Sequence, residues 1–78
     1  MSRSNDIGDS VHRAIDRYFR DLDGEKPCAI YNMVLANVER SMLEAVMRHA
    51  GGNQTVAAGM LGINRNTLRR KLGDHDLL

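Results

Sequence analysis

Four basic side chains, Arg65, Arg69, Arg70 and Lys71, stand within residues 64–72, and no acid interrupts them. Asn64, Asn66 and Thr67 lie among them, with amides and a hydroxyl that can bond base edges or phosphate oxygens. This mixture suits holding a polyanion rather than breaking a bond. A guanidinium is planar and can bond O6 and N7 of one guanine together, which makes Arg65 the best candidate base reader. Arg69, Arg70 and Lys71 can neutralise backbone phosphates. Upstream, Asn53 and Thr55 open a preceding segment whose N-terminal amides would carry partial positive charge and suit a phosphate. A plainer reading of the same residues is a solvated basic helix with two good caps. The small pair Ala57-Ala58, the turn residue Gly62 and the caps coincide here, and together they favour nucleic acid.

Other chemistry finds little support. His12 and Asp16 are four apart on a polar face, most simply a surface contact. His49 closes a long helix, where a cation is mildly favoured. Asp74-His75-Asp76 reads as tail rather than metal site. Cys28 is the single cysteine and cannot form an internal disulfide. The five methionines fall at core spacing. There is no nucleophile–base set and no phosphate-cradling glycine loop, so neither an enzyme, a metal nor a cofactor is expected.

The elements that must position the basic stretch follow from spacing. Residues 53–72 read NQTVAAGMLGINRNTLRRKL. Asn53 can cap a helix over 54–61, Gly62 breaks it, and Asn64 can cap another over 65–72. Ala57 and Ala58 permit close crossing, and Leu61, Ile63, Leu68 and Leu72 supply the apolar contacts. Two short helices joined by a glycine turn, the second basic, describe a helix–turn–helix. Upstream, Asp9 or Ser10 offers an N-cap, and Val11, Ile15, Tyr18 or Phe19, and Leu22 recur at helical spacing, which predicts a helix over 10–22. Residues 23–27 form a turn. Residues 1–8 and 73–78 read as frayed or untethered tails.

A longer helix over 29–50 is apolar on too many sides for a surface helix. Ile30, Val34 and Val38 make one stripe, and Tyr31, Leu35, Met42 and Val46 another. Such a surface needs cover. A second copy of the same helix would supply it, through Ile30, Val34, Leu35, Val38, Met42 and Val46. A central core helix in a monomeric bundle is the alternative.

Composition sets the frame. Seventy-eight residues make one small domain, which excludes a multi-domain enzyme. Aromatics are 4% with no Trp, so the core must be aliphatic, which suits helices. Net charge is +1, but residues 1–50 hold seven Lys/Arg against eight Asp/Glu and residues 51–78 hold four against two. The positive charge is therefore local. The N-terminus has no apolar signal-like region, and no apolar run reaches the ~20 residues of a membrane span. The expected location is cytoplasmic, with no membrane partner.

GNQT, AA and GINRNTLRRKL, with DSV, YF and VLANVE upstream, resemble the Fis family, the factors for inversion stimulation; the same helix–turn–helix ends NtrC-type activators. The resemblance implies an all-α fold of four helices. It implies one Fis-like domain over 1–78, with a dimerisation hairpin over 10–50 intertwined in a homodimer and a C-terminal helix–turn–helix over 53–72. It implies a nucleoid-associated regulator that binds and bends double-stranded DNA at A/T-centred sites, including ribosomal RNA promoters. Asn64 and Arg65 match the family's base-contacting pair, and Asn53, Thr55, Thr67, Arg69 and Arg70 match DNA-contacting positions. Gly52 and Gln54 match a loop that touches the RNA polymerase α-subunit. The chain departs from the family at Val56 and Gly51, each in place of an Arg, at Asn66 in place of a Gly and at Ser41 in place of a Pro. It is also expected to lack the N-terminal arm that stimulates DNA invertases. Two other readings stand beside this one: the DNA-binding domain of an NtrC-type activator, and a helical module whose basic helix meets an acidic protein.

Overall fold

The computed structural model describes residues 3–78, with side chains from Asp6 onward. The described chain is all-α: α1 Arg3–Asp21, α2 Ile30–His49, α3 Gln54–Leu61 and α4 Arg65–Asp74. It divides into two compact units, one ending at Val34 and the other Leu35–Leu78. The division falls inside α2, so the second unit takes in the latter part of that helix as well as the helix–turn–helix.

In the first unit, Val11, Ile15, Tyr18 and Leu22 are half-buried while the intervening charged residues are exposed. That is the 3.6-residue period of an amphipathic helix. The Tyr18 hydroxyl accepts from the Cys28 N–H at 3.3 Å, and its ring meets Phe19 edge-on at 5.8 Å. The helix begins at Arg3, well before the expected cap at Asp9 or Ser10. Ser10 instead donates its hydroxyl to the Asp6 carbonyl at 3.1 Å, a back-bond open to a serine inside a helix. The expectation of a frayed segment over 1–8 fails from residue 3 onward; residues 1 and 2 lie outside the described chain. Ala29, expected to open α2, lies just ahead of it at φ +54, and its carbonyl accepts from the Met33 N–H at 3.0 Å.

The second unit has a small aliphatic core. Leu43 of α2, Ala57 and Ala58 of α3, and Leu68 and Leu72 of α4 are buried, with Val46, Met47, Ala50, Leu61, Ile63 and Leu77 around them. Ala57 and Ala58 are small because α3 and α4 cross closely there; their exposures are 0% and 4%.

Three helix ends in this unit close in the same way. A left-handed residue lets the next N–H reach back to a carbonyl five residues earlier. Gly52 bonds Met47 at 3.0 Å, Ile63 bonds Ala58 at 3.1 Å, and Leu77 bonds Leu72 at 2.8 Å. The left-handed residues are Gly51 (φ +64), Gly62 (φ +74) and Asp76 (φ +57). At Gly62 the backbone alone demands glycine, since a Cβ there would meet nothing within 4 Å. The third closure overturns the expected loose tail. The helix runs on to Asp74, and the chain then folds back to seat Leu77 on the core. An apolar residue just past the left-handed turn commonly packs on the last helical turn in this way.

Candidate nucleic-acid interface

Each short helix is started by the asparagine expected to start it. Asn53 Oδ1 accepts from the Val56 N–H at 3.0 Å, and Asn64 Oδ1 accepts from the Asn66 N–H at 2.7 Å. These caps satisfy donors that have no partner inside the helix, and each contributes about 1 kcal/mol. They also settle what is left for a ligand. The Asn64 oxygen holds the backbone with one of its two lone pairs, and its amide N–H group remains to donate outward.

Leu68 and Leu72 fix the rotation of α4. Both are fully buried, and at 100° per residue this turns Asn66, Arg69 and Arg70 outward, while Arg65, in phase with Leu72, is exposed because it opens the helix beyond the core. All four are exposed, as is Asn64. Residues 65 and 69, and 66 and 70, are each one turn apart, so they form one continuous polar face. Among the described residues no carboxylate pairs with Arg65, Arg69 or Arg70. Three uncompensated guanidiniums on a face held rigid by its buried side make a local positive potential that a polyanion would feel. Thr55 and Asn53 are exposed at the start of α3, Thr67 is half-buried, Gln54 is half-buried and Gly52 is exposed.

Lys71, unlike the three arginines, has a carboxylate partner among the described residues. Its Nζ donates to Glu39 Oε2 of α2 at 2.9 Å. The other carboxylate oxygen, Oε1, meets His75 Nε2 at 2.8 Å, and Arg40 donates to the His75 carbonyl. Lys71 stands only 100° from Leu72 on the helix wheel, on the flank that faces α2. These partners are 32 and 36 residues from Glu39, so no local sequence pattern announces the cluster.

The Lys71 ammonium first, and the His75 ring second, hold the Glu39 carboxyl below its ordinary range. A carboxyl depressed in the folded state stabilises the fold above its unfolded pKa, and that contribution disappears as pH falls through the folded value. Glu39→Gln should therefore lower the thermal midpoint at neutral pH. The gap between variant and wild type should close in acid, below the ordinary glutamate range. Thermal melts of both proteins across pH 3–7 check this, and a gap that persists unchanged into acid would contradict it.

The residues expected to meet a second copy divide. Leu35, Val38 and Met42 are exposed, as is Tyr31, while Ile30 and Val34 are half-buried. Val46 is half-buried and packs on the chain's own core beside Leu43. Val56 and Met60, one turn apart on α3, are exposed as well. Among the described residues no group of three or more His, Cys, Asp or Glu could hold a metal ion, and no helix is long and apolar enough to cross a membrane.

Comparison with known proteins agrees with this architecture. The family described as bacterial regulatory protein, Fis family, matches residues 34–75, which span the latter part of α2, the whole helix–turn–helix and His75. A Fis-like DNA-binding protein of Ralstonia nicotianae is 55% identical over 78 residues, covering all of both chains. One of Neisseria meningitidis serogroup A is 51% identical over 73 residues, covering 94% of this chain and 92% of its own. The DNA-binding protein Fis of Glaesserella parasuis is 53% identical over 66 residues, covering 85% of this chain and 67% of its own. With the helix–turn–helix core, its two asparagine caps and a full-length relative at this identity, the chain belongs to the Fis family.

Proposed function

We propose that this chain is a non-enzymatic, sequence-preferring DNA-binding regulator that works as a homodimer and bends its site. One observation carries the reading. The start and exposed side of α4 offer Asn64, Arg65, Asn66, Arg69 and Arg70, with no carboxylate among the described residues against any of the arginines, while Leu68 and Leu72 lock the helix into the core. In this reading Arg65 bonds a guanine in the major groove and Asn64 donates through its amide. Arg69, Arg70, Thr67, Asn53 and Thr55 hold phosphates and set the register. Membership of the Fis family supports the same role, and relatives carry DNA-binding names. Action in the bacterial cytoplasm on the nucleoid, at ribosomal RNA promoters among other sites, and a contact of Gly52 and Gln54 with the RNA polymerase α-subunit, belong to this proposal through the family resemblance.

Bending belongs to the proposal through the family resemblance. Two recognition helices must enter successive major grooves about 34 Å apart on straight DNA. The α2 helix spans 20 residues, or roughly 30 Å, and in the intertwined dimer implied by the family it crosses its partner instead of extending outward. The Fis resemblance implies recognition helices set too close for a straight duplex, which would then bend and narrow its central minor groove. Bending a 20–30 bp site costs on the order of 1–6 kcal/mol, and the cost depends on the sequence bent. Duplexes that keep both flanking guanines and vary only the centre test this. Affinity should fall when central A/T pairs become G/C. It should recover with inosine–cytosine, which lacks the guanine amino group in the minor groove. Equal affinity for all three centres would overturn the bending. No salt-dependent duplex shift at all would favour a helical protein-interaction module instead.

A further inference from the structure

The side-chain cluster that DNA reading leaves unused is Glu39 with its partners. Its two carboxylate oxygens take one donor each, Lys71 Nζ at 2.9 Å and His75 Nε2 at 2.8 Å. Lys71 and His75 are one turn apart at the end of α4, so a single carboxylate on α2 can reach both. Arg40, the neighbour of Glu39, donates to the main-chain carbonyl of His75. The His75 side chain is only 13% exposed, which leaves water little room to compete. Below this grip the chain turns through Asp76, and Leu77 closes on the core.

We propose that Glu39 is the positioning residue of the recognition helix: by gripping Lys71 and His75 it fixes the C-terminal end of α4 against α2, and so sets the angle at which Arg65, Arg69 and Arg70 meet DNA. The proposal rests on the DNA reading above and assigns work to residues outside the contacting face. The mechanics are those of a lever. The N-terminal end of α4 is held by the Gly62 turn and Ile63. Its far end is held by Leu72, Leu77 and this grip. The helix has 10 residues, or roughly 15 Å, and a tilt of about 10° would move its end by about 2.6 Å. Arg65 lies at the held end, so such a tilt would instead swing the tip of its long side chain by about 1 Å, enough to break a base-edge hydrogen bond. Lys71 thereby acts on DNA through Glu39 and not by touching phosphate.

The test uses the full chain and a duplex selected by the wild type from a random library, with an unrelated duplex of equal length as the non-specific reference. Glu39→Ala and Lys71→Ala are compared at a temperature where circular dichroism shows both folded; Glu39→Gln, which keeps one acceptor and the side-chain shape, serves if Glu39→Ala does not fold. Each single variant should lose about tenfold in affinity for the selected duplex while non-specific affinity holds. The double variant should lose no more than either single one, because both remove the same interaction. Amide exchange at residues 72–77 of the free protein should rise in both. A folded Glu39 variant with the wild-type ratio of specific to non-specific affinity overturns the proposal. So does a variant that binds every duplex more tightly, since Glu39 would then only compete with DNA for Lys71. If the wild type selects no duplex, the DNA reading falls and the proposal with it. If it selects one that Glu39→Ala still recognises fully, the proposal falls alone.

Discussion

Arg65→Ala should abolish preference for a guanine in each half-site while leaving the helix–turn–helix folded. Arg65 opens α4 with its side chain exposed, and no carboxylate among the described residues competes for it. The first turn of a recognition helix is the part that reaches base edges. A bidentate guanidinium–guanine pair discriminates by about 1–3 kcal/mol, and a symmetric dimer gives up two of them. The fold does not depend on Arg65, since the cap is made by Asn64 and the core by Leu68 and Leu72. The measurement is the ratio of affinities for a guanine-bearing site and its adenine-substituted counterpart, at one salt concentration. Wild type should discriminate strongly and Arg65→Ala hardly at all. Arg70→Ala should weaken both duplexes alike and flatten the salt dependence by about 0.9 for each phosphate it no longer neutralises. An unchanged ratio in Arg65→Ala would mean that another residue reads the base.

The positions of this site were legible because the signals that start and stop the two short helices are chemical. Asn53 and Asn64 are capping residues, and Gly51 and Gly62 supply the left-handed turns, so α3 and the start of α4 fall where the sequence places them. The end of α4 was hidden because its left-handed residue is Asp76 and not the usual glycine, and because Leu77 has no local reason to fold back. The start of α1 was misplaced for the opposite reason. Asp9 and Ser10 look like caps, yet Ser10 satisfies its hydroxyl inside a longer helix. Lys71 shows a third limit. Composition groups it with three arginines, while helix phase turns it to Glu39, a residue distant in sequence. Composition alone cannot separate a paired cation from a free one.

Association should respond to mutation just as strongly. Tyr31, Leu35, Val38 and Met42 lie on α2 at spacings of four, three and four, with exposures of 74%, 50%, 39% and 45%. That is the rhythm of an interhelical seam; Leu43 and Met47 of the chain's own core lie to one side of it, and Val46 continues it into that core. An apolar stripe of this kind beside a core of five buried residues leaves the monomer poorly stabilised. Folding and association should therefore be linked, so the unfolding midpoint should rise with protein concentration. Sedimentation should give twice the 8.7 kDa chain mass. Leu35→Glu would place a carboxylate in each half of a symmetric seam, desolvated and facing its like, and should abolish the dimer along with most of the cooperative unfolding transition. A wild type that is a well-folded, concentration-independent monomer would refute the homodimer.

DNA recognition in this account depends on α4, held by the core of the helix–turn–helix, being the surface that meets the duplex. A titration of the 15N-labelled protein with a duplex, followed amide by amide, examines this without an intermediary. The largest shifts should fall at residues 64–70 and at the start of α3, residues 53–55. Little should change along the exposed seam of α2, residues 31–42, and the whole pattern should weaken as salt rises. Shifts that gather on the α2 seam and leave residues 64–70 unmoved would contradict DNA recognition by α4.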